Sequence, residues 1–391
     1  MGSAQTVNRF HIIALILILI VGLSWIVHLL ITSYQGLKGA QNYKGWLAGI
    51  TADGTGSQLV AYYPEQAESK TILKLPDVTP DNFGVICSNG TKAAYTQWNE
   101  QQTVRYLVVQ SLTSTKQHVF FDSLPPMNEI KTISWFPDHR RILFVKSDQT
   151  THVDQEIGVL DTGSGKVETL VKGGIRLVKR AEEENGEERM KFYMTQDELD
   201  RIVQSYGGKP VPLDDAGGYL MVEFAAPVLS PDGNRIVYSA TLNRNYAKGE
   251  NVPLWLASSL WVYDLTSGQN KMVHSPSDRS AIGKAIWTSD GGHVAFISYT
   301  GANGEGGAIE YMDLANAKVK TIFPPTAEHH NNVNLIALER NEISFISAPK
   351  SGTFKDAKRW ILNPETGEKR LMPVQIRGQK NALLRNFSNV Q

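Results

Sequence analysis

One cysteine, Cys87, is the whole thiol content of the 391 residues. That excludes an intramolecular disulfide and any cysteine-based metal cluster. Cys87 follows "FGVI" in a strand-like run and reads as a small buried hydrophobe. An excess of one charge sign is also lacking, because 39 basic and 39 acidic residues cancel. Nothing therefore points to nucleic acid or to an acidic tail. Catalytic signatures are missing as well. There is no Gly-x-Ser-x-Gly elbow, no His-Glu-x-x-His and no dinucleotide fingerprint, and "GSGK" at 163–166 is too short for a phosphate loop. "TADGTGS" at 51–57 lacks the alternating acids and distal Glu of a calcium loop and reads as a hairpin turn. No catalytic residue and no cofactor is expected.

Long hydrophobic runs are scarce, with one exception. Ile12 to Ile31 are twenty residues without a formal charge, enough at about 1.5 Å per residue to cross a bilayer. No small-x-small cleavage site follows, so the run reads as an uncleaved signal anchor. The expected organisation is a short tail at 1–11, a transmembrane helix at 12–33 held in the lipid bilayer, a linker at 34–44 and one large domain at 45–391. Arg9 and the terminal amine before the span and Lys38 and Lys44 after it nearly balance. The expected topology is single-pass in the cell membrane with the large domain outside the cytoplasm.

What the large domain does have is a repeat, together with the many turns that 33 glycines and 17 prolines permit. "VLDTGSGKVETL" at 159–170 matches "VYDLTSGQNKMV" at 262–273, "YMDLANAKVKTI" at 311–322 and "ILNPETGEKRLM" at 361–372; fainter copies start at 61 and 108. Each is strand, polar turn, strand. The equivalent positions Tyr63, Gln110, Asp161, Asp264, Asp313 and Asn363 are spaced 47, 51, 103, 49 and 50 residues apart. A second element precedes each hairpin: "ISWFPDHRRILFV" at 133–145, "PVLSPDGNRIVYS" at 227–239 and "AIWTSDGGHVAFI" at 285–297, with weaker copies at 84–96 and 335–346. In it Pro fixes φ, Asp or Asn caps the turn and Gly supplies positive φ.

Together the two elements make a unit of four short strands, as in a β-propeller blade. The turn W-[ST]-x-D-G-x-x-[IVA]-x-[FY] resembles that of the TolB-like branch of the WD-type propellers, over roughly residues 45–390. The resemblance implies an all-β, six-bladed β-propeller of four-stranded antiparallel blades around a channel, usually outside the cytoplasm and usually an interaction platform. Two departures stand out. The first unit lacks its innermost strand, and the last turn, "LERN" at 338–341, has lost Pro and Gly. The tail stretch "ALLRNFS" at 382–388 is expected to return beside "GWLAGI" at 45–50 and supply the missing strand.

The same repeat disposes of the Asp-Thr-Gly signature at 161–163. An aspartic protease needs two such carboxylates, whereas position 161 is one of six equivalent turn positions. Asp161 reads as a turn residue.

The 103-residue spacing holds an insertion, assigned to 173–222. It contains a hairpin around Asn185–Gly186 with an acidic tip of Glu182, Glu183, Glu184, Glu187 and Glu188. A helix follows, capped by Thr195 and Glu198, with Leu199, Ile202, Val203 and Tyr206 on one face. The alternative is a seventh blade. Within a shorter insertion at 242–259, Leu254, Trp255 and Leu256 are apolar for a loop; they read as packing on the neighbouring insertion or as a partner-binding patch. Metal candidates are confined to "EHHNN": Glu328, His329 and His330, with His139 or His293 as additional ligands if the channel mouth brings them together. Two functions follow. The first is a membrane-anchored platform binding an envelope protein or surface polymer. The second is a metal-dependent enzyme, lactonase- or lyase-like, at the channel mouth.

Overall fold

The computed structural model describes residues 46–52, 57–63, 68–75, 84–98, 105–121, 128–148, 156–184, 187–216, 218–245, 255–276, 280–300, 305–350, 357–372 and 388–389. The expected transmembrane helix lies outside them. Among the described residues no helix is long and apolar enough to cross a membrane.

Six antiparallel blades follow one another along the chain. Blade two is Gly84–Ile86, Lys92–Trp98, Arg105–Ser111 and Gln117–Phe120; blade three is Asn128–Trp135, Arg141–Asp148, Glu156–Asp161 and Val167–Lys172. Blade five is Ala281–Trp287, His293–Thr300, Glu305–Asp313 and Lys318–Phe323; blade six is Asn331–Ala337, Ile343–Ala348, Lys358–Leu362 and Lys369–Leu371. Burial falls from the axis outward. Every residue of Ile343–Ala348 is buried, while most of the outer strand Val167–Lys172 is exposed. Middle strands packed on both faces therefore read as continuous apolar runs rather than alternating ones.

Blade four carries the insertion. Its inner strand comes in two pieces, Tyr219–Phe224 and Val228–Leu229, both paired with Arg235–Asn245. Trp255–Asp264 and Asn270–His274 complete it, and Ile175–Leu177 adds an edge strand. The hairpin forms as expected, Lys179–Glu184 against Glu187–Phe192. So does helix α1, Gln196–Ser205, whose Thr195 cap and Glu198 bond reciprocally. Residues 175–216 thus make an edge strand, a hairpin and a helix, not a seventh blade.

Among the described residues a hydrophobic cluster lies between each pair of successive blades, and together these joints tie the sheets into a ring. Ile50 and Leu59 meet Ile86 and Tyr95 between blades one and two; Val85 and Leu107 meet Ile133 and Trp135 between two and three. Leu143 and Ile157 join Tyr238 and the helix residues Leu199 and Val203 between three and four. Val237 and Leu260 pack on Trp287 and Phe296 between four and five, and Ile297 and Ile309 on Leu335 and Phe345 between five and six. The last joint closes the circle, with Leu47, Val60 and Tyr62 against Ile336, Ile361 and Met372.

Blade one comprises Leu47–Ala52, Ser57–Tyr63 and Glu68–Leu75, and its innermost strand comes from the far end of the chain. Ser388 pairs with Ala48 and Asn389 with Leu47, at the end of, and one residue beyond, the expected 382–388 stretch. This strand also lies against the inner strand of blade six. Leu383 and Leu384 fall outside the described residues.

Candidate functional site

Each inner strand from blade two to blade six ends in the repeated turn, and the second residue of every such turn faces the axis. Ser88, Pro137, Pro231, Ser289 and Glu339 line one cavity of about 500 Å³. Its walls are inner-strand residues, Thr132 to Ser134, Val228 and Leu229, Lys284, Ile286 and Trp287, and Leu335 to Ala337, together with Ala226 and Pro227 from the break in the blade-four strand. The titratable side chains of this lining are His139, Lys284 and Glu339.

The turns are built to one plan. The amide three residues on bonds back to the first carbonyl, Gly90 to Cys87 at 2.8 Å, Gly233 to Ser230 at 2.8 Å and Gly291 to Thr288 at 3.0 Å. Those glycines have φ of 67°, 70° and 66°, and His139 occupies the same slot at 56°. An imidazole in a left-handed position is uncommon, and it places His139 in the cavity wall, where burial lowers its pKa. At the first turn position Ser230 and Thr288 bond the turn carboxylates Asp232 and Asp290. Cys87 fills the same place, its thiol donating to Asn89 Oδ1 at 2.9 Å and accepting from the Lys92 amide at 3.1 Å. Buried it is, but as a turn residue standing in for a hydroxyl. In the "LERN" turn Asn341 takes the glycine slot and Arg340 the acidic position before it, both at φ 60°.

Neighbouring turns are clamped together. Lys92 donates to the His139 carbonyl at 3.1 Å and lies over Trp135; Arg235 donates to the Gly291 carbonyl at 2.9 Å and lies 4.6 Å over Trp287. Asn341 accepts from the Ser289 hydroxyl at 2.6 Å and the Asp290 amide at 3.0 Å. The mouth is thereby preorganised by cross-blade bonds rather than by its loops alone.

The "EHHNN" residues sit elsewhere. They lead into and begin the inner strand of blade six, while the cavity is lined by that strand's far half, about 20 Å from His329 along a fully extended strand. His329 is buried; its Nε2 accepts from Lys369 at 3.0 Å, which leaves the proton on Nδ1 to reach Ser347 Oγ at 3.1 Å. Its ring stands edge-on to Trp360 and Phe323. Glu328 is exposed and His330 half-buried beside Gly306. His293 bonds Asp290 at 2.9 Å and stacks on Tyr311. Among the described residues no three His, Cys, Asp or Glu side chains converge as a metal site.

Burial, then Lys369, lowers the His329 pKa. With the folded value below the unfolded one, stability is full above about pH 6.5 and falls as pH drops through that value towards the folded pKa. Denaturation midpoints between about pH 7.5 and about pH 5 should fall more steeply in the wild type than in His329→Gln. Equal slopes would show that His329 is not the group responsible.

Asp161 is a turn residue. Its carboxylate accepts from the amides of Gly163 and Ser164, both at 2.9 Å, and pairs with Arg140 at 2.8 Å. The Arg140 bond first, then the Ser164 amide, holds its pKa far below the usual carboxylate range. Asp264 and Asn363 cap their turns through the same two amide bonds, and Asp313 through one.

Of the expected contact patch, Leu254 lies outside the described residues, Trp255 begins a blade-four strand half-buried, and Leu256 is buried in the cluster that includes α1. Gly208, just after that helix, lies so close to Ala257 and the Leu256 carbonyl that a Cβ there would meet both under 3.0 Å. What the sequence did not single out is Lys284. The cue lay in the repeat, since the residues around it align with those of the other inner strands.

No family model matches the chain, and no curated protein matches it. Solved structures do. TolB from Acinetobacter baumannii superposes with a TM-score of 0.51 at 13% identity, covering 91% of this chain and 69% of that one. A TolB-type protein of Agrobacterium tumefaciens gives 0.47 at 9% identity, covering 84% and 88%. The oligogalacturonate lyase of Vibrio parahaemolyticus gives 0.47 at 12%, covering 84% and 75%. The chain has the fold of the TolB-like six-bladed propellers.

Proposed function

We propose that this propeller is a binding platform, tethered to the membrane through residues 12–33 and displayed outside the cytoplasm, which holds an envelope protein or surface polymer at the channel mouth. The observation that carries this is the ring of equivalent turn positions around one preorganised cavity. Ser88, Pro137, Pro231, Ser289 and Glu339 converge from five blades, and rigid loops around a concave, largely apolar wall suit recognition. The charge-poor apolar span at 12–33 supports the tether.

A photoreactive benzoylphenylalanine placed at Glu339, in the full-length protein in its native cells, should give a discrete partner adduct. The same group at Ser164, an exposed turn residue of blade three, should not. Equal adducts at the two positions, or adducts at Ser164 alone, would remove the mouth as the docking site.

A further inference from the structure

We infer that the channel cavity contains a carboxylate-binding subsite whose anchor is Lys284, suited to a single carboxylate carried on an apolar peptide end. The inference rests on the mouth being a binding site and specifies what enters it.

Lys284 lies in the inner strand of blade five, within the irregular step between Ile282 and Ala285. It sits about 13 Å below Thr288 of the turn, at roughly 3.3 Å per residue. Its side chain lines the cavity and is half-buried. Among the described residues it has no hydrogen-bond or ion-pair partner, and its nearest charged influence is another cation, Arg359 of blade six. Burial first, and Arg359 second, bring its pKa down to about 8. A partly desolvated ammonium group without an acceptor is costly, and a cleft that holds one is a candidate binding site. An anion supplies the missing acceptor and offsets the repulsion from Arg359.

The remainder of the lining narrows the class. Glu339 is the cavity's carboxylate, and it stands at the exposed mouth while Lys284 stands deep. A chain bearing repeated negative charges would meet Glu339 along its length. One that leads with a terminal carboxylate would pass it with neutral amides. Val228, Ala337 and Leu338, half-buried in the lining, offer an apolar wall to the ligand's last side chain. Those features favour a peptide end over a polyuronide.

The test compares N-acetyl-Ala-Leu with its carboxamide, galacturonate and inorganic phosphate, each titrated calorimetrically into the full-length protein in detergent. The free acid should bind at least about tenfold more tightly than the carboxamide, as one charge-assisted hydrogen bond implies, and more tightly than galacturonate or phosphate. In Lys284→Met that preference should vanish, while the melting temperature of the unliganded protein stays level or rises because an uncompensated buried charge has gone. Lys284→Arg should keep part of the preference. Equal affinity for acid and amide, or a preference unaffected in Lys284→Met, would overturn the subsite. Stronger binding of galacturonate or phosphate would overturn the peptide assignment. The two readings fail separately. Adducts at Glu339 without acid preference would leave the platform and remove the subsite; acid preference without adducts would do the reverse.

Discussion

Replacing Trp287 by Ala is expected to destabilise the domain by about 3–5 kcal/mol, the range for emptying a buried aromatic site. Trp287 is 2% exposed and packs with Val237, Leu260 and Phe296 across the joint between blades four and five. Three features meet on it. Its indole N–H donates to the Val228 carbonyl of blade four at 3.0 Å, its face carries the Arg235 guanidinium, and it lines the cavity. Trp287→Phe should keep an aromatic face for the cation but lose the hydrogen bond, costing about 1 kcal/mol beyond the cost of the smaller ring. Trp135 in blade three is the internal comparison. It is equally buried and lies under Lys92, but its N–H has no partner among the described residues. Trp135→Phe should therefore be cheaper than Trp287→Phe. Chemical denaturation of the four proteins checks this, and an equal cost for the two Phe variants would mean that the Val228 bond contributes nothing.

Deleting residues 380–391 should lower the melting temperature by at least about 4 °C, at roughly 2 °C per kcal/mol for a domain of this size. The deletion removes the strand that pairs with Leu47 and Ala48 and lies against blade six. Blade one would then present an unpaired inner edge, and a ring with an open edge both frays and invites association. The apolar joint of Leu47, Val60 and Tyr62 with Ile336, Ile361 and Met372 remains, so partial stability is expected rather than collapse. A truncated protein that melts within about a degree of the full chain would show that this joint alone closes the ring.

The blades were legible because their signals are local. Asp-Gly turns, hairpin spacings and the Thr195–Glu198 cap each act within a few residues, so the chain displays them in order. Even the substituted turns obey the rule in retrospect, His139 and Asn341 taking the left-handed slots that glycine holds elsewhere. The site was less legible because it is assembled across blades. "GKAIW" at 283–287 looks like any strand carrying a lysine; only the convergence of inner strands around the axis turns Lys284 inward. "EHHNN" misled in the opposite direction. Its residue types suit a metal, but it stands at the start of the blade-six strand, the end away from the mouth, and Lys369 and Ser347 occupy both nitrogens of His329. Leu256 is apolar because it packs on the inserted helix, and that packing depends on a segment about fifty residues away in the chain.

Ring closure supports every statement about the cavity, and a cysteine pair across the closing strands tests it most directly. Ala48 and Ser388 are paired residues, and directly opposed residues in an antiparallel pair, roughly 4.5–5.5 Å apart at Cβ, lie within or near disulfide reach. The pair is introduced in a Cys87→Ser background, which keeps a hydroxyl where Ser230 and Thr288 already serve the same turn. Mild oxidation of the folded Ala48→Cys/Ser388→Cys protein should form one intramolecular bond, seen as a mobility shift without reductant, with no loss of thermal stability. A pair that stays reduced while folded and links only after denaturation would contradict a ring closed by the end of the chain.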